Sequence, residues 1–219
     1  MAIPVLVMGA SGAGKTYSIK NFAPNEVGVI SVEKGRLPFK SEIKVAKIPK
    51  YGSGDETANS YGAINLAKYA WLMKTIETVK TKSIVIDDSQ YLLVNELFDR
   101  AGEKGYDKFV QMAANFRNLI HAINEMEQED KIVYFLHHTE TGADGREKCK
   151  TIGKMLDEKL TVEGCFDIVI YCQDHKFYTQ SNGQSTAKSP EDMFELEIPN
   201  DLKAVDTAIR YYYGLGGKK

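Results

Sequence analysis

The stretch Gly9–Thr16, with the sequence GASGAGKT, decides the fold of this 219-residue chain. It matches the pattern G-x-x-x-x-G-K-[ST] and follows directly on an apolar run that includes Ile3, Val5, Leu6 and Val7. In such a loop the glycines let successive backbone N–H groups point at one phosphate, and the lysine reaches the terminal phosphates. The sequence therefore predicts a strand, a phosphate-binding loop and a helix from about Lys15 to Phe22, whose N-terminus adds partial positive charge.

The motif also names the residues expected to hold a nucleotide and its metal. Lys15 is expected to act on the β- and γ-phosphates, and the Thr16 hydroxyl is expected to bind Mg²⁺. The predicted nucleotide-binding residues are Gly9, Ala10, Ser11, Gly12, Ala13, Gly14, Lys15, Thr16, Tyr17 and His137.

Composition places the chain among ordinary globular proteins. It is 43% hydrophobic and 26% charged, with a net charge of −2 that gives no global attraction to nucleic acid.

Cys149, Cys165 and Cys172 form no C-x-x-C pair, which favours free thiols in a reducing cytoplasm. No apolar run approaches the ~20 residues of a membrane span. Because the first strand leads straight into the phosphate loop, we expect no cleaved signal peptide and a cytoplasmic protein.

Strand-like and helical patterns alternate along the chain, which predicts an α/β fold with a mainly parallel sheet covered on both faces. Apolar runs predict further strands at 27–32, 83–87, 131–136 and 166–172. Helical spacing predicts helices at 60–80, 91–100, 107–127 and 200–213, and a short amphipathic stretch at 152–160. Segments 175–180 and 194–198 predict a C-terminal β-hairpin joined through 181–185. Loops are expected at 51–59 and, as a mobile loop, at 141–146, and residues 1–219 are expected to form one domain.

Acidic residues at predicted strand ends are candidates for metal binding and hydrolysis. The run Ile84-Val85-Ile86-Asp87 has the form of the second nucleotide-site motif, so its strand is expected beside the first, with Asp87 near Mg²⁺. Hydrolysis also needs a carboxylate that positions the attacking water, and both Glu33 and Asp88 fit. Glu33 is favoured because it follows the second strand at the edge where ligands bind in open α/β sheets.

Two histidines follow the strand at 131–136. One of His137 and His138 is expected to contact the γ-phosphate region and to report hydrolysis to the loop beyond, although both could be turn residues. Metal binding by them is not expected, because neither Cys149 nor His175 stands at a usual ligand spacing.

The order of these features resembles the RecA-type ATPase core. A phosphate loop comes first, then an acid after the second strand, Asp87 after the third, and a polar cluster after the fourth. Four phrases are also similar to small phage nucleotide-binding proteins with this core, the Sak-type single-strand annealing ATPases: 105–109 (GYDKF), 135–139 (FLHHT), 188–194 (KSPEDMF) and 198–202 (IPNDL). The resemblance covers nearly the whole chain and implies a three-layer P-loop NTPase with a RecA-like sheet.

The resemblance also implies roles, ligands and partners. Glu33 would be the catalytic carboxylate, Asp87 the magnesium acid, and His137 or His138 the sensor. Lys188 would reach across a subunit interface to the neighbour's γ-phosphate. The implied activity is Mg²⁺-dependent ATP hydrolysis on single-stranded DNA in phage recombination or annealing, within the host cytoplasm. The implied assembly is a homo-oligomer with ATP at or near its subunit interfaces, which could also meet a phage or host single-strand-binding protein.

Charge by itself gives no DNA signal, because basic and acidic residues between Thr139 and Gly164 nearly cancel. We expect no N-terminal arm before the first strand of the kind that links RecA protomers, so filament formation is not part of the expectation, whereas some assembly is. Two other functions stay open. A small-molecule kinase fits the size and the N-terminal loop. Such enzymes usually hold phosphate chains with several arginines, whereas the five arginines of this chain are widely spread: Arg36, Arg100, Arg117, Arg146 and Arg210. A nucleotide-dependent switch or loader could dock through Tyr211–Tyr213, although packing of two of these tyrosines into the core is favoured.

Overall fold

The computed structural model describes residues 1–33, 35–49, 61–153 and 160–215, without the side chains of 61–64. The described strands are β1 (Ile3–Gly9), β2 (Val27–Ser31), β3 (Val45–Lys47), β4 (Ser83–Asp87), β5 (Ile132–Thr141), β6 (Glu147–Cys149), β7 (Ile168–Gln173), β8 (Lys176–Tyr178) and β9 (Glu197–Pro199). The described α-helices are α1 (Tyr61–Thr78), α2 (Gln90–Asp99), α3 (Asp107–Asn124) and α4 (Leu202–Tyr212).

These strands form one sheet in the order β3-β2-β4-β5-β1-β7-β8-β9, and β6 pairs with the far end of β5. The ladders from β3 to β7 are parallel, whereas β7-β8 and β8-β9 are antiparallel. The predicted α/β fold with a mainly parallel sheet and a C-terminal hairpin is confirmed. Parallel pairing brings the carboxyl ends of β1, β2, β4, β5 and β7 to one edge.

Helices cover both faces of the sheet, which gives three layers. Alternate residues along β1 point to opposite sides: Leu6 packs into the cluster that holds α1 and α3, and Val5 and Val7 pack into the cluster that holds α4. Central strands buried on both faces need nearly continuous apolar sequence, which is why their runs were recognisable.

One expected neighbour relation was wrong. β4 does not lie beside β1, because β5 is inserted between them and pairs with both. Strands in a sheet are about 4.8 Å apart, so the acid after β4 and the loop after β1 lie about two strand spacings apart. Side chains must bridge that gap for the two nucleotide motifs to meet.

Other differences concern short elements. The helix expected from Lys15 to Phe22 is a six-residue 3-10 helix, Thr16–Asn21, so a macrodipole contributes less than expected. β3 was not predicted, because three residues carry too little periodicity. The segment 141–146 is the tip of a hairpin between β5 and β6, since Gly142 N–H donates to the Arg146 carbonyl. The expected loop at 51–59 and most of the stretch at 152–160 lie outside the described residues.

A second hairpin, between β7 and β8, was also missed. Gln173 pairs with Lys176, which leaves Asp174 and His175 as a two-residue turn, and both have positive φ (49° and 59°). Two left-handed residues are typical of a type I′ turn. The turn carries His175 to the same sheet edge as the phosphate loop.

Candidate nucleotide-binding site

A cavity of about 300 Å³ opens at the carboxyl edge of the parallel strands. Residues from five separate segments line it: Ser11, Gly12, Gly14, Lys15, Thr16, Tyr17, Arg36, Pro38, Asp87, Asp88, His138 and His175. The cavity therefore collects the phosphate loop, the β2–β3 connection, the ends of β4 and β5, and the β7–β8 turn.

The phosphate loop forms the floor, and Lys15 is folded back onto it. Lys15 is 6% exposed, and its Nζ donates to the carbonyls of Gly9 at 2.6 Å and Ala10 at 2.9 Å. Gly12 and Gly14 have φ of +82° and +109°, a region that side-chain-bearing residues rarely adopt. A Cβ at Gly14 would also collide with Asn200 and His175, so this position requires glycine on two grounds.

The two predicted metal ligands touch each other across the intervening strand. Thr16 Oγ1 donates to Asp87 Oδ1 at 2.9 Å. Burial raises the pKa of the Asp87 carboxyl, and the Thr16 hydrogen bond opposes that effect. A hydroxyl and a carboxylate side by side are oxygen ligands of the kind Mg²⁺ prefers, so these residues fit the ion that the motif implies.

Asp88 lies beside this pair and contacts His138. Its Oδ1 is 3.2 Å from His138 Nε2, and the His138 ring meets Tyr91 edge-on at a centroid distance of 6.2 Å. Asp88 has φ of +61°, which is uncommon for a residue other than glycine and turns its carboxylate out of the line of β4. Both Asp88 and His138 line the cavity, so the structure brings an acid and an imidazole next to Asp87 and Thr16, the predicted metal ligands.

His137 is not brought into the cavity. Its side chain is fully buried; Nε2 donates to the Lys150 carbonyl at 2.9 Å, and Ser89 Oγ lies 3.0 Å from Nδ1. Burial lowers the pKa of His137 to about 4, so the ring is neutral near pH 7. Its two contacts join the start of α2 to the chain after β6.

Two other sequence candidates lie outside the cavity lining. Glu33 is exposed and follows β2 by two residues, but it does not line the cavity. Lys188 is exposed, and its backbone pairs with Val169 near the start of β7. Val169 precedes the end of β7 by four residues, which at about 3.3 Å per residue is some 13 Å from the ligand edge. Lys188 is not among the residues that line the cavity of its own chain.

The residues missed by sequence reasoning are on the two flanks of the cavity. Arg36 and Pro38 enter from the β2 side, and His175 enters from the β7 side. Asn200 Nδ2 donates to the Gly14 carbonyl at 3.0 Å, and the His175 N–H donates to the Ala13 carbonyl at 3.1 Å. No motif marks these positions, although the Asp-His pair between two apolar segments is a signal of a tight turn.

Tyr17 forms an aromatic wall next to the phosphate loop. Its ring meets Phe39 at 6.1 Å and His175 at 5.8 Å, both edge-on, and Lys20 Nζ lies 4.3 Å from its centroid. The ring is fixed from both sides while part of it still faces the cavity. Such a surface can take the flat face of a nucleobase.

Comparison with known proteins agrees with this geometry. Residues 1–194 match a family model described as an AAA domain. The chain belongs to this family. The match spans all the cavity residues, and it makes this AAA domain a P-loop NTPase domain, for which a nucleotide and usually Mg²⁺ are the ligands.

Among solved structures, the AAA domain is similar to a KaiC-like protein from the hyperthermophilic archaeon Pyrococcus horikoshii OT3. The two are 13% identical, with a TM-score of 0.43 over 77% of this chain and 71% of the other. No curated protein matches the chain. Within the described residues, no helix combines the length and the apolar character that crossing a bilayer requires.

Proposed function

We propose that this AAA domain is a Mg²⁺-dependent ATPase with a RecA-like core that acts on single-stranded DNA in recombination or annealing, as in the phage Sak-type group. The observation that carries the ATPase part is the hydrogen bond between Thr16 and Asp87, with Lys15 beside it in the same cavity. Thr16 and Asp87 would hold Mg²⁺, which supplies charge neutralisation at the phosphates. Lys15 would exchange its two carbonyl partners for phosphate oxygens.

Asp88 is the carboxylate that we propose positions the attacking water. It lines the cavity beside Asp87, whereas Glu33 is exposed and outside the lining. His138 at 3.2 Å fixes the orientation of the Asp88 carboxylate and occupies the sensor position implied by the RecA resemblance. The base is thus assigned to the strand that also carries the metal acid.

The DNA part of the proposal is supported by a second cleft that adjoins the first. This cleft of about 770 Å³ shares Ser11 and His138 with the nucleotide cavity. Its walls include the aromatic Tyr91 and the exposed Lys150. An aromatic ring and a cation are what a single strand needs for base stacking and phosphate contact. His138, which faces both spaces, would couple nucleotide state to strand binding.

An oligomer is part of the same proposal. Because Lys188 is exposed and far from the cavity of its own chain, it can serve catalysis only at a neighbour's nucleotide. A cation supplied in this way would offset charge on the transferred phosphoryl group.

A switch or loader is the second candidate, and exposed tyrosines favour it. The expectation that two of Tyr211–Tyr213 pack into the core was wrong, because they are 91%, 45% and 42% exposed. They end α4, whose hydrophobic stripe is already filled by Leu202, Val205 and Ile209, so no core position remains for them. Aromatic side chains exposed together are typical of docking surfaces.

The deciding experiment is steady-state ATP hydrolysis with Mg²⁺, with and without single-stranded DNA, for the wild type, Asp88→Asn and Glu33→Gln. We expect DNA to accelerate hydrolysis, and Asp88→Asn to lower kcat by roughly 10² to 10⁴-fold because it removes the water-positioning base. Glu33→Gln is the matched control and should change kcat by less than about threefold, since its side chain lies outside the cavity.

Each other outcome points elsewhere. No hydrolysis under either condition would remove the ATPase. Slow hydrolysis that ignores DNA, together with nucleotide-dependent capture of a protein partner, would favour the switch or loader. Loss of activity in Glu33→Gln but not Asp88→Asn would return the base to Glu33.

A further inference from the structure

Arg36 stands out among the residues around the nucleotide cavity. Among the described residues that line the cavity, one is a lysine, Lys15, and one is an arginine, Arg36. Lys15 is held by two backbone carbonyls. The guanidinium of Arg36, by contrast, makes no hydrogen bond or ion pair with any residue in the described part of the chain, although Asp87 and Asp88 line the same cavity. Arg36 is exposed, and a guanidinium without a partner among the described residues is available for an anion that enters the cavity.

The path of the backbone explains how Arg36 comes to the cavity. β2 ends at Ser31, which pairs with Asp87 in the neighbouring strand, so the connection after β2 starts next to the metal acid. Gly35 follows with a φ of +68°, and its N–H donates to Ser31 Oγ at 2.7 Å. This hydrogen bond ties the residue before Arg36 to the end of β2.

The far end of the same connection is also anchored. Phe39 packs edge-on against Tyr17 at 6.1 Å, and both Arg36 and Pro38 line the cavity between these two anchor points. The segment 35–39 therefore crosses from the metal end, near Asp87, toward the aromatic wall. Arg36 is at the beginning of that crossing and Phe39 at its end, which assigns the arginine to the phosphate end of a bound nucleotide.

We propose that Arg36 binds the β- and γ-phosphates together with Lys15; this rests on the nucleotide binding proposed above. Lys15 contacts the phosphates from the phosphate loop, and Arg36 contacts them from the β2–β3 connection. A guanidinium can bind two phosphate oxygens with parallel hydrogen bonds, which a lysine cannot do. Because both cations belong to the same chain, this part of the site needs no second subunit.

Binding of ATP, ADP and AMP with Mg²⁺ tests the assignment, AMP being measured by displacement of a fluorescent ATP analogue. Arg36→Ala should weaken ATP and ADP roughly 10- to 100-fold, the range for a charge-assisted bond, and leave AMP within twofold. Arg36→Lys should fall between wild type and Arg36→Ala, because it keeps the charge and loses the second hydrogen bond. Arg117→Ala, an exposed arginine on α3 outside the cavity, is the matched control and should change nothing.

The outcomes separate this inference from the proposed function. If the wild type binds ATP and Arg36→Ala binds it within twofold, the Arg36 assignment fails and nucleotide binding stands. If Arg36→Ala weakens AMP as much as ATP, the arginine contacts the nucleoside or α-phosphate and the assignment is also wrong. If the wild type binds none of the three nucleotides, the proposed function fails and the inference fails with it. Retained AMP binding shows that the variant is folded.

Discussion

The two edges of the sheet differ in what their buried polar groups contact. At the amino edge, Asp206 of α4 accepts hydrogen bonds from Ser83 Oγ at 2.7 Å, Tyr134 Oη at 3.0 Å and Arg210 Nε at 2.6 Å. Arg210 also donates to the Asp130 carbonyl. Donors and acceptors in this cluster, which we call the amino-edge network, are paired with one another, so the network holds α4 to the sheet.

At the carboxyl edge, buried groups of the same kind line the nucleotide cavity. Asp87 accepts from Thr16, Asp88 meets His138, and Lys15 is held by two carbonyls. Burial raises the pKa of the Asp87 carboxyl, and the hydrogen bond from Thr16 opposes that effect. The difference is between buried polar groups that contact one another and buried polar groups that line a cavity. We expect the first set to contribute to stability and the second to nucleotide binding.

Lys15→Ala gives the largest expected effect. It removes several charge-assisted bonds to phosphate, so ATP affinity should fall by roughly 100-fold or more, while urea unfolding changes little. Calorimetric titration checks the affinity, and Lys104→Ala, an exposed lysine outside the cavity, is the control. If the unfolding free energy fell and affinity held, Lys15 would belong with the stabilising groups.

Asp206→Ala should have the opposite effect and lower stability without lowering ATP affinity. It leaves Arg210 without its carboxylate and Tyr134 without its acceptor, so the free energy of unfolding should fall by about 3 kcal/mol. ATP affinity should stay within twofold, because the network is at the opposite edge. Urea denaturation measures the loss, and Thr207→Ala on the same helix should cost less than about 0.5 kcal/mol. An equal loss in both variants would mean that the network contributes nothing specific.

His137 sharpens the comparison. It lies at the carboxyl edge, but like the amino-edge groups it is buried and hydrogen-bonded within the protein. Its pKa is lowered from 6.5 to about 4, so the unfolded chain takes up a proton first as the pH falls. The free energy of unfolding therefore has its full value above about pH 6.5 and falls as the pH is lowered toward 4. Linkage gives a loss of about 2 kcal/mol between pH 7 and pH 5.

Urea unfolding at several pH values measures this slope. His137→Gln keeps hydrogen-bonding capacity without titrating, so its unfolding free energy should fall by about 2 kcal/mol less than that of the wild type over the same interval. Equal slopes in the two proteins would contradict the buried, neutral state of His137.

Much of the floor of the site could be predicted from sequence, because its residues are adjacent in the chain. The phosphate loop needs glycines at fixed spacing, and Asp87 ends a recognisable apolar run. The two histidines show the limit. Consecutive residues on a strand face opposite sides, so one of them had to be buried, but sequence could not say which side was the site. Their roles in binding and catalysis, like that of Lys188, stay predictions.

The sequence by itself determined a phosphate-loop motif, an acid that ends an apolar strand and an α/β sheet, because each is encoded by a short local pattern. Tertiary structure alone decided that β5 separates β4 from β1, and that Thr16 reaches across it to Asp87. It also brought Arg36 and His175 to opposite flanks of one cavity. Strand order depends on how distant segments bury their apolar faces together, and no local pattern records that choice.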